Sequence, residues 1–316
     1  MLATVIADGA LRIEERPTPQ PTGTAVLVAV HGAGLNGADL LQRRGLYPAP
    51  PGVPADIPGL ELAGVVAAIG PEVRGLAEGD RVMAVVAGGA QASHCLVEAS
   101  HLLAVPEGLD LVVAGGFPEA FSTAHDALVS QAGLRPGDRL LVTGAAGGVG
   151  TAAVQLGRLL GASTVASVRN PDHHGAVASL GADVVVLPEE VGDAGPYDVV
   201  LELVGAPSLA TALPHLAPRA RVVVIGVGGG AKLELNLLAV MAARAQLSGS
   251  TLRARDLVDK AVVARLVGHE LLGHLASGRL SVPVAARYRL DDVEQAYRHF
   301  EAGGKLGKVL LELPLS

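Results

Sequence analysis

Residues 139–156 (RLLVTGAAGGVGTAAVQL) run from an apolar segment, through a cluster of glycines, into a segment rich in small residues. Gly144, Gly147 and Gly150 follow a G-x-x-G-x-x-G spacing. The pattern predicts a buried strand, a tight turn and a helix whose free N-terminal N–H groups and dipole favour an anion. Because this spacing is a variant of the dinucleotide fingerprint and lies at a strand-to-helix junction, we predict a dinucleotide site here.

The segments around this turn predict an α/β fold with a doubly wound, six-stranded parallel Rossmann sheet. Helical patterns alternate with apolar strands at 140–143, 164–168, 184–187, 198–201, 221–225 and 246–250. The earlier part of the chain consists mainly of predicted strands bounded by Pro and Gly. We therefore expect a β-rich domain over 1–118, a dinucleotide-binding domain over 119–255, and a return of 256–316 to the first domain.

Composition limits the classes of function. The chain has 316 residues, of which 50% are hydrophobic, and a net charge of −7. The absence of Lys/Arg blocks argues against nucleic-acid or membrane partners, and no signal-like or membrane-spanning run is visible. We expect a cytoplasmic protein. Cys95 is the only cysteine, which excludes intramolecular disulfides and cysteine-rich zinc sites. It is either a small buried residue or a nucleophile.

The end of the second predicted strand favours NADPH over NADH. An acid at this position often binds the ribose 2′-hydroxyl, but this strand ends in Arg169 and no acid precedes Asp172. Arg169, with Ser167 and His173, could hold a 2′-phosphate through charge-assisted hydrogen bonds. The alternative is that Arg169 is a solvated surface charge.

The remaining predicted cofactor contacts lie in the glycine turn and after the later strands, because carboxyl ends of parallel strands face the ligand. In the turn they are Gly144, Ala145, Ala146, Gly147, Gly148, Val149 and Gly150. After the fourth, fifth and sixth strands they are Val204, Gly205, Gly226, Val227, Ser250 and Thr251.

Longer motifs give the chain a family resemblance. These are PGLELAGVV at 58–66, GDRV at 79–82, AGLNGADLLQRRGLYP at 33–48 and GSTLRAR at 249–255. On them the chain resembles the zinc-free, zeta-crystallin-like NAD(P)H quinone oxidoreductases of the medium-chain dehydrogenase/reductase superfamily. The resemblance covers nearly the whole chain and implies that the β-rich domain is a GroES-like catalytic domain.

The resemblance also implies that no metal takes part. Zinc alcohol dehydrogenases of this fold have a cysteine ligand near the position of Asn36 and a histidine at that of Leu60, and both are absent. Without a Lewis acid, hydride transfer needs an acceptor that is already a good electrophile. Quinones and α,β-unsaturated carbonyl compounds meet that condition.

By the same resemblance, Asn36, Asp39 and Tyr47 are the candidate catalytic residues, and Thr123 and Lys308 lie near the cofactor. Asn36 could donate to a developing oxyanion, Asp39 could orient a water or a basic partner, and Tyr47 could stack on a flat ring or donate a proton. Each residue also has a purely structural alternative. These are a turn residue for Asn36, a helix-terminal charge for Asp39, a ring that packs the loop for Tyr47, a helix threonine bonded to its own backbone for Thr123, and a solvated side chain for Lys308.

The leading hypothesis is therefore an NADPH-dependent, zinc-independent quinone oxidoreductase. One alternative is an enal or enone reductase on the same scaffold. The other is an NADPH-binding protein with a structural or regulatory role and little turnover. A homodimer through the sixth strand is expected, because that strand would otherwise leave a sheet edge exposed.

Overall fold

The computed structural model describes residues 1–314, which form fifteen strands and nine helices. The strands are β1 (Leu2–Ala7), β2 (Ala10–Glu15), β3 (Ala25–Gly34), β4 (Glu61–Ile69), β5 (Arg81–Val85), β6 (His94–Glu98), β7 (Leu103–Ala104), β8 (Arg139–Val142), β9 (Ser163–Ser167), β10 (Val184–Val186), β11 (Tyr197–Glu202), β12 (Leu216–Val224), β13 (Gln246–Gly249), β14 (Val284–Arg289) and β15 (Lys308–Glu312). The helices are α1 (Gly37–Arg43), α2 (Leu111–Ala114), α3 (Pro118–His125), α4 (Gly148–Leu159), α5 (His174–Leu180), α6 (Ala206–Ala212), α7 (Leu237–Ala243), α8 (Leu257–Ala276) and α9 (Val293–Ala302).

The chain divides into two compact units. Unit 1 contains Met1–Ser122 and the residues from Leu252 onward, and unit 2 contains Thr123–Thr251. The sequence placed the corresponding boundaries after residues 118 and 255. No helix within residues 1–314 combines the length and apolar composition that a bilayer crossing requires.

Unit 2 contains a six-stranded sheet in the order β10-β9-β8-β11-β12-β13. Every pair in it is parallel, so the predicted doubly wound sheet is confirmed. The order reverses between β8 and β11, which is where ligands bind in such sheets. Leu141, Val200 and Val222 from three central strands pack in the same buried core. The observed β12 begins at Leu216, ahead of the predicted residue 221, because Leu216 pairs with Tyr197 across an irregularity in the ladder.

Unit 1 is built around a sheet in the order β14-β15-β3-β4-β5-β7, with β6 also paired to β3. β15 runs antiparallel to β3, with Leu310 opposite Gly34, so the closing segment of the chain shares a sheet with its first segment. α9 buries one face, because Val293, Ala296 and Tyr297 lie in the core of this unit.

The junction after β3 carries the first candidate residues. β3 ends at Gly34, Asn36 is the N-cap of α1, and the Leu35 N–H donates to the Val309 carbonyl of β15 at 2.9 Å. Asn36 therefore lies beside the start of β15, where Lys308 is located.

Candidate active site

A buried polar cluster in unit 1 joins the end of β3 to the starts of β4 and β15. The Lys308 ammonium lies 2.5 Å from Glu61 Oε1 and donates to Asn36 Oδ1 at 2.8 Å and to the Leu35 carbonyl at 2.9 Å. The Lys308 and Glu61 side chains are only 4% and 0% exposed. An ammonium has three N–H donors, and each has an acceptor in this cluster. The alternative that Lys308 is a solvated surface residue is therefore wrong.

The same cluster engages the Asn36 side chain completely. Its amide nitrogen donates to the Gly34 carbonyl and to Glu61 Oε1, both at 3.1 Å. The second carboxylate oxygen of Glu61 accepts from the Glu119 N–H at 2.9 Å. Removing one partner of a buried ion pair leaves an uncompensated charge that costs about 3–5 kcal/mol, so this cluster holds Asn36 in one orientation.

Asp39 is buried in unit 1, and its carboxylate links two backbone segments by hydrogen bonds. Its Oδ2 accepts from the Asn36 N–H at 2.8 Å, and its Oδ1 accepts from the Gly59 N–H at 3.0 Å. Burial raises the pKa of Asp39 to about 6, although these two hydrogen bonds and the charges of Lys308 and Arg253 act in the opposite direction. The carboxyl group therefore both caps α1 and fixes the segment that precedes β4.

Tyr47 follows α1, and its half-buried ring faces a cation. The Arg253 guanidinium carbon lies 5.0 Å from the ring centroid, and Arg253 also donates to the Tyr47 carbonyl at 2.9 Å. Burial raises the pKa of the Tyr47 phenol, the positive charge of Arg253 lowers it, and Glu119 raises it further. This ring is thus held by a contact that the sequence analysis did not anticipate.

In unit 2, the glycine turn connects β8 to α4. Gly144 has a φ of +57°, and the N-cap Gly147 precedes the first helical residue, Gly148. A Cβ on Gly150 would lie 2.5 Å from the Gly144 carbonyl oxygen and 2.6 Å from the Ala145 Cα. Only glycine at this position lets the first turn of α4 lie so close to the turn. The first N–H groups of a helix lack intrahelical partners, so this N-terminus fits a phosphate.

The carboxyl ends of β8 and β11 are tied together by Glu202. Glu202 is completely buried, and its Oε1 accepts from Thr143 Oγ1 at 2.9 Å and from the Val204 and Gly205 N–H groups at 2.7 and 2.8 Å. These bonds fix the backbone at the point where the strand order reverses. Val204 and Gly205 are therefore rigidly placed at the predicted cofactor edge.

The other predicted cofactor residues of unit 2 lie at the same edge of the sheet or in the segments that follow it. Ser167 is buried at the end of β9, and its carbonyl accepts from the Ala145 N–H at 3.1 Å. Arg169 is exposed and His173 is half-buried, so both interpretations of Arg169 stay open. Residues at the ends of β12 and β13, and in the turn, are Gly226, Val227, Ser250, Thr251, Ala146 and Val149, and Thr123 is buried in α3.

The residues of unit 1 do not fit a zinc ion. Asn36 and Leu60 replace the expected cysteine and histidine. The Glu61 carboxylate at the Asn36 amide is already paired with the Lys308 ammonium at 2.5 Å, and the Asp39 carboxylate accepts from two backbone N–H groups. Zinc is bound by thiolate, imidazole and carboxylate ligands. Among the described residues, no group of three or more His, Cys, Asp or Glu side chains could hold a metal.

Cys95 is placed as a core residue. It is 6% exposed, and burial raises the pKa of its thiol to about 12. A nucleophilic cysteine must form the thiolate, which this environment disfavours at neutral pH.

Sequence reasoning missed Glu61, Gln42, Arg253 and Glu202. Glu61 and Arg253 lie inside the motifs that carry the family resemblance, but their partners are far away in the chain. Glu202 had a visible signal, since an acid directly follows the apolar run 199–201 at the carboxyl end of β11.

The pKa of Asp39 predicts a pH-dependent contribution to stability. Because the folded-state pKa of about 6 exceeds the ordinary value of 3.8, the contribution is present below about pH 4 and is lost as the pH rises through 6. We expect the wild-type protein to lose up to about 3 kcal/mol relative to Asp39→Asn between pH 4 and 7. Urea unfolding of both proteins at a series of pH values measures this difference.

The matched control is Asp291→Asn, at an exposed aspartate of the same unit. It should keep the wild-type dependence on pH. A constant difference between wild type and Asp39→Asn across this range would contradict the assignment.

Comparisons with known proteins agree with this arrangement. Residues 22–133 match the alcohol dehydrogenase GroES-like domain, and residues 148–267 match the zinc-binding dehydrogenase family. The chain is 31% identical to quinone oxidoreductase-like protein 2 of Bos taurus over 95% of this chain and 88% of that protein. It is also 31% identical to a phenolphthiocerol/phthiocerol polyketide synthase of Mycobacterium tuberculosis over 96% of this chain, but it spans only 14% of that protein's length.

Two solved structures have the same fold. A quinone oxidoreductase of Pseudomonas syringae superposes with a TM-score of 0.87 at 28% identity, covering 99% of this chain and 100% of that one. A mycobacterial protein in complex with NADPH gives the same TM-score of 0.87, at 28% identity and with the same 99% and 100% coverage. The family resemblance and the predicted fold are thereby confirmed. The chain belongs to the medium-chain dehydrogenase/reductase superfamily and, within it, to the quinone oxidoreductase branch.

Proposed function

We propose that this protein is an NADPH-dependent, zinc-independent reductase of quinones. The observation that carries the proposal is the similarity to a quinone oxidoreductase-like protein over 95% of the chain. The side chains of unit 1 support it, because the Lys308 ammonium pairs with Glu61 at 2.5 Å. This pair lies beside Asn36, near whose position zinc enzymes of this fold have a cysteine ligand. A site of this kind suits an acceptor that needs no Lewis acid.

The roles of the unit 1 residues follow from their contacts. A bound nicotinamide would supply the hydride. Tyr47 offers a flat ring and a phenolic proton to the acceptor. Asn36 would donate to the acceptor only by giving up one of its two amide contacts, to the Gly34 carbonyl or to Glu61. Asp39 acts on the site by fixing the backbone of Asn36 and Gly59. A contact between Lys308 and the cofactor would require the ammonium to give up one of its three acceptors.

NADPH is the proposed cofactor. In unit 2 the exposed Arg169 follows β9 without a neighbouring acid, and Ser167 and His173 are close to it in sequence. A mycobacterial protein of the same fold binds NADPH. The tight approach of α4 to the turn at Gly150 fits a pyrophosphate at this helix N-terminus.

A second candidate is the reduction of a carbon–carbon double bond conjugated to a carbonyl group. The similarity to a segment of a polyketide synthase favours it. The third hypothesis, an NADPH-binding protein without turnover, makes no use of the buried cluster around Asn36. A cytoplasmic location and the absence of nucleic-acid or membrane partners stay predictions from the sequence.

Turnover with different acceptors separates these three functions. We expect NADPH oxidation with a quinone to exceed that with an α,β-unsaturated aldehyde and that without an acceptor. Turnover with the aldehyde alone would replace the first function with the second. NADPH binding without turnover on either acceptor would leave only the binding protein.

The cofactor assignment is tested by Arg169→Ala. Loss of a charge-assisted contact to the 2′-phosphate should raise the Kd for NADPH about tenfold and leave that for NADH unchanged. Nucleotide fluorescence titration measures both. The control is Arg135→Ala. Arg135 is an exposed arginine that precedes β8, so it lies at the amino ends of the parallel strands, away from the predicted cofactor site at their carboxyl ends. Equal weakening of both nucleotides by Arg169→Ala would contradict a 2′-phosphate contact.

A homodimer through β13 completes the proposal. β13 is an edge strand whose residues are all exposed, and the adjoining α7 exposes Leu237, Leu238 and Met241 at 66%, 74% and 69%. Apolar side chains of this size on an unpaired edge suit a second copy of the chain.

Leu247→Lys on β13 should convert this dimer to a monomer, because it places a charge on the pairing edge. Light scattering after size-exclusion chromatography measures the mass. Val184→Lys is the matched control, since Val184 is similarly exposed (37% against 38%) on β10, the opposite edge of the sheet. A wild-type protein that is monomeric, or a dimer that only Val184→Lys disrupts, would contradict the proposal.

A further inference from the structure

Arg253 is a buried arginine at the start of the second segment of unit 1. It is 5% exposed, and each of its three nitrogens donates to a different part of the chain. Nε donates to the Ala87 carbonyl at 2.7 Å, Nη1 to the Tyr47 carbonyl at 2.9 Å, and Nη2 to Gln42 Oε1 at 2.6 Å. A planar guanidinium can make these bonds at once, whereas an ammonium cannot reproduce this fork.

Gln42 extends this contact to the far side of a proline-rich loop. The loop, residues 48–54, contains four prolines. Gln42 is 6% exposed on α1, and its amide nitrogen donates to the Ala55 carbonyl at 3.1 Å. The carbonyls of Tyr47 and Ala55, one on each side of the loop, are thus held by two side chains that bond to each other.

The composition of the loop explains why side chains hold it. Proline has no N–H group and cannot donate to a backbone ladder, so a segment with four prolines has few ways to fix its own ends. Arg253 and Gln42 supply the missing donors from outside the loop. They hold it at one point on each side, and Tyr47 is one of those points.

Arg253 also acts on the Tyr47 ring itself. Its guanidinium carbon lies 5.0 Å from the ring centroid, a distance at which a cation is attracted to an aromatic face. The charged groups that act on the phenol are Arg253 and Glu119. Asp39 and Glu119 act on Arg253 in turn, and Lys260 lies close enough to Glu119 and Arg253 to be affected by both.

We propose that Arg253 and Gln42 are a pair of positioning residues that hold the proline-rich loop and orient the Tyr47 phenol, with Arg253 also supplying a fixed positive charge over the ring. The proposal deepens the proposed function. It rests on that function only where it gives the Tyr47 phenol a role in the reaction. Neither residue needs to touch the acceptor.

The two effects of Arg253 are separable by substitution. Arg253→Lys keeps the charge and loses the fork of hydrogen bonds. Arg253→Met loses both. Gln42→Met keeps Arg253 and removes the tie to Ala55. Arg74→Met is the control, because Arg74 is an exposed arginine of the same unit whose side chain donates to the nearby Pro71 and Val73 carbonyls.

Fluorine NMR of protein labelled with fluorotyrosine reads the ring directly. The chain has four tyrosines, and Tyr47→Phe identifies the Tyr47 signal. Arg253→Met should raise the pH midpoint of the Tyr47 signal by about 1 unit, because a cation near the ring favours the phenolate. Arg253→Lys and Gln42→Met should leave the midpoint near that of the wild type and change the shift and width of the signal. Arg74→Met should change neither.

Turnover adds a second readout. Arg253→Lys and Gln42→Met should lower kcat for the quinone about tenfold or more, with the folded state checked by circular dichroism. Arg253→Met should also move the alkaline limit of the kcat profile upward together with the fluorine midpoint.

The outcomes are distinguishable from a failure of the proposed function. The fluorine signal needs no acceptor, so a wild-type protein without quinone turnover would remove the proposed function and leave the positioning test in force. The proposal is overturned if folded Arg253→Met and Gln42→Met both keep the wild-type Tyr47 midpoint, shift and width. It is also overturned if Arg253→Lys lowers turnover while the Tyr47 signal is unchanged, since Arg253 would then act on the substrate itself.

Discussion

The buried ion pair between Glu61 and Lys308 is the interaction on which the candidate site in unit 1 depends. Glu61 is completely buried, and its two carboxylate oxygens join Lys308 on β15, Asn36 at the start of α1 and the backbone of Glu119 at the start of α3. A buried charge is tolerated only when it is paired and hydrogen-bonded. Each of these neighbours must therefore keep its place, and the candidate amide of Asn36 is oriented as a consequence.

Lys308 places a fixed positive charge beside Asn36, near which the family resemblance puts a cysteine ligand in the zinc enzymes. The charge differs from that of a metal because the ammonium uses its three donors on Glu61, Asn36 and Leu35 and has no open coordination position. Lewis-acid activation needs such a position. The proposed choice of quinones is consistent with this arrangement, because a quinone is electrophilic without activation by a metal.

Much of the fold was predictable because it follows from local patterns. The glycine turn and the alternation of apolar strands and helices predicted the order and type of the strands in unit 2. The contacts of the site were less accessible. Lys308 and Glu61, or Arg253 and Tyr47, are distant in the chain, and a single lysine at the start of a strand carries no sign of a buried partner. The motifs marked these positions as special without revealing what they contact.

Asp39 differs from Glu61 in the groups that surround its carboxylate. Glu61 has an ammonium at 2.5 Å, whereas the hydrogen bonds of Asp39 come from two backbone N–H groups, and the charges of Lys308 and Arg253 act on it without an ion pair. In this environment the desolvation of the Asp39 carboxylate outweighs its two hydrogen bonds and the nearby positive charges, and its pKa rises to about 6. Protonation of Asp39 would remove a negative charge that acts on Arg253. The charge of Asp39 thus acts on the same guanidinium that faces the Tyr47 ring, so the buried acid that caps α1 helps to stabilise the cation beside the candidate phenol.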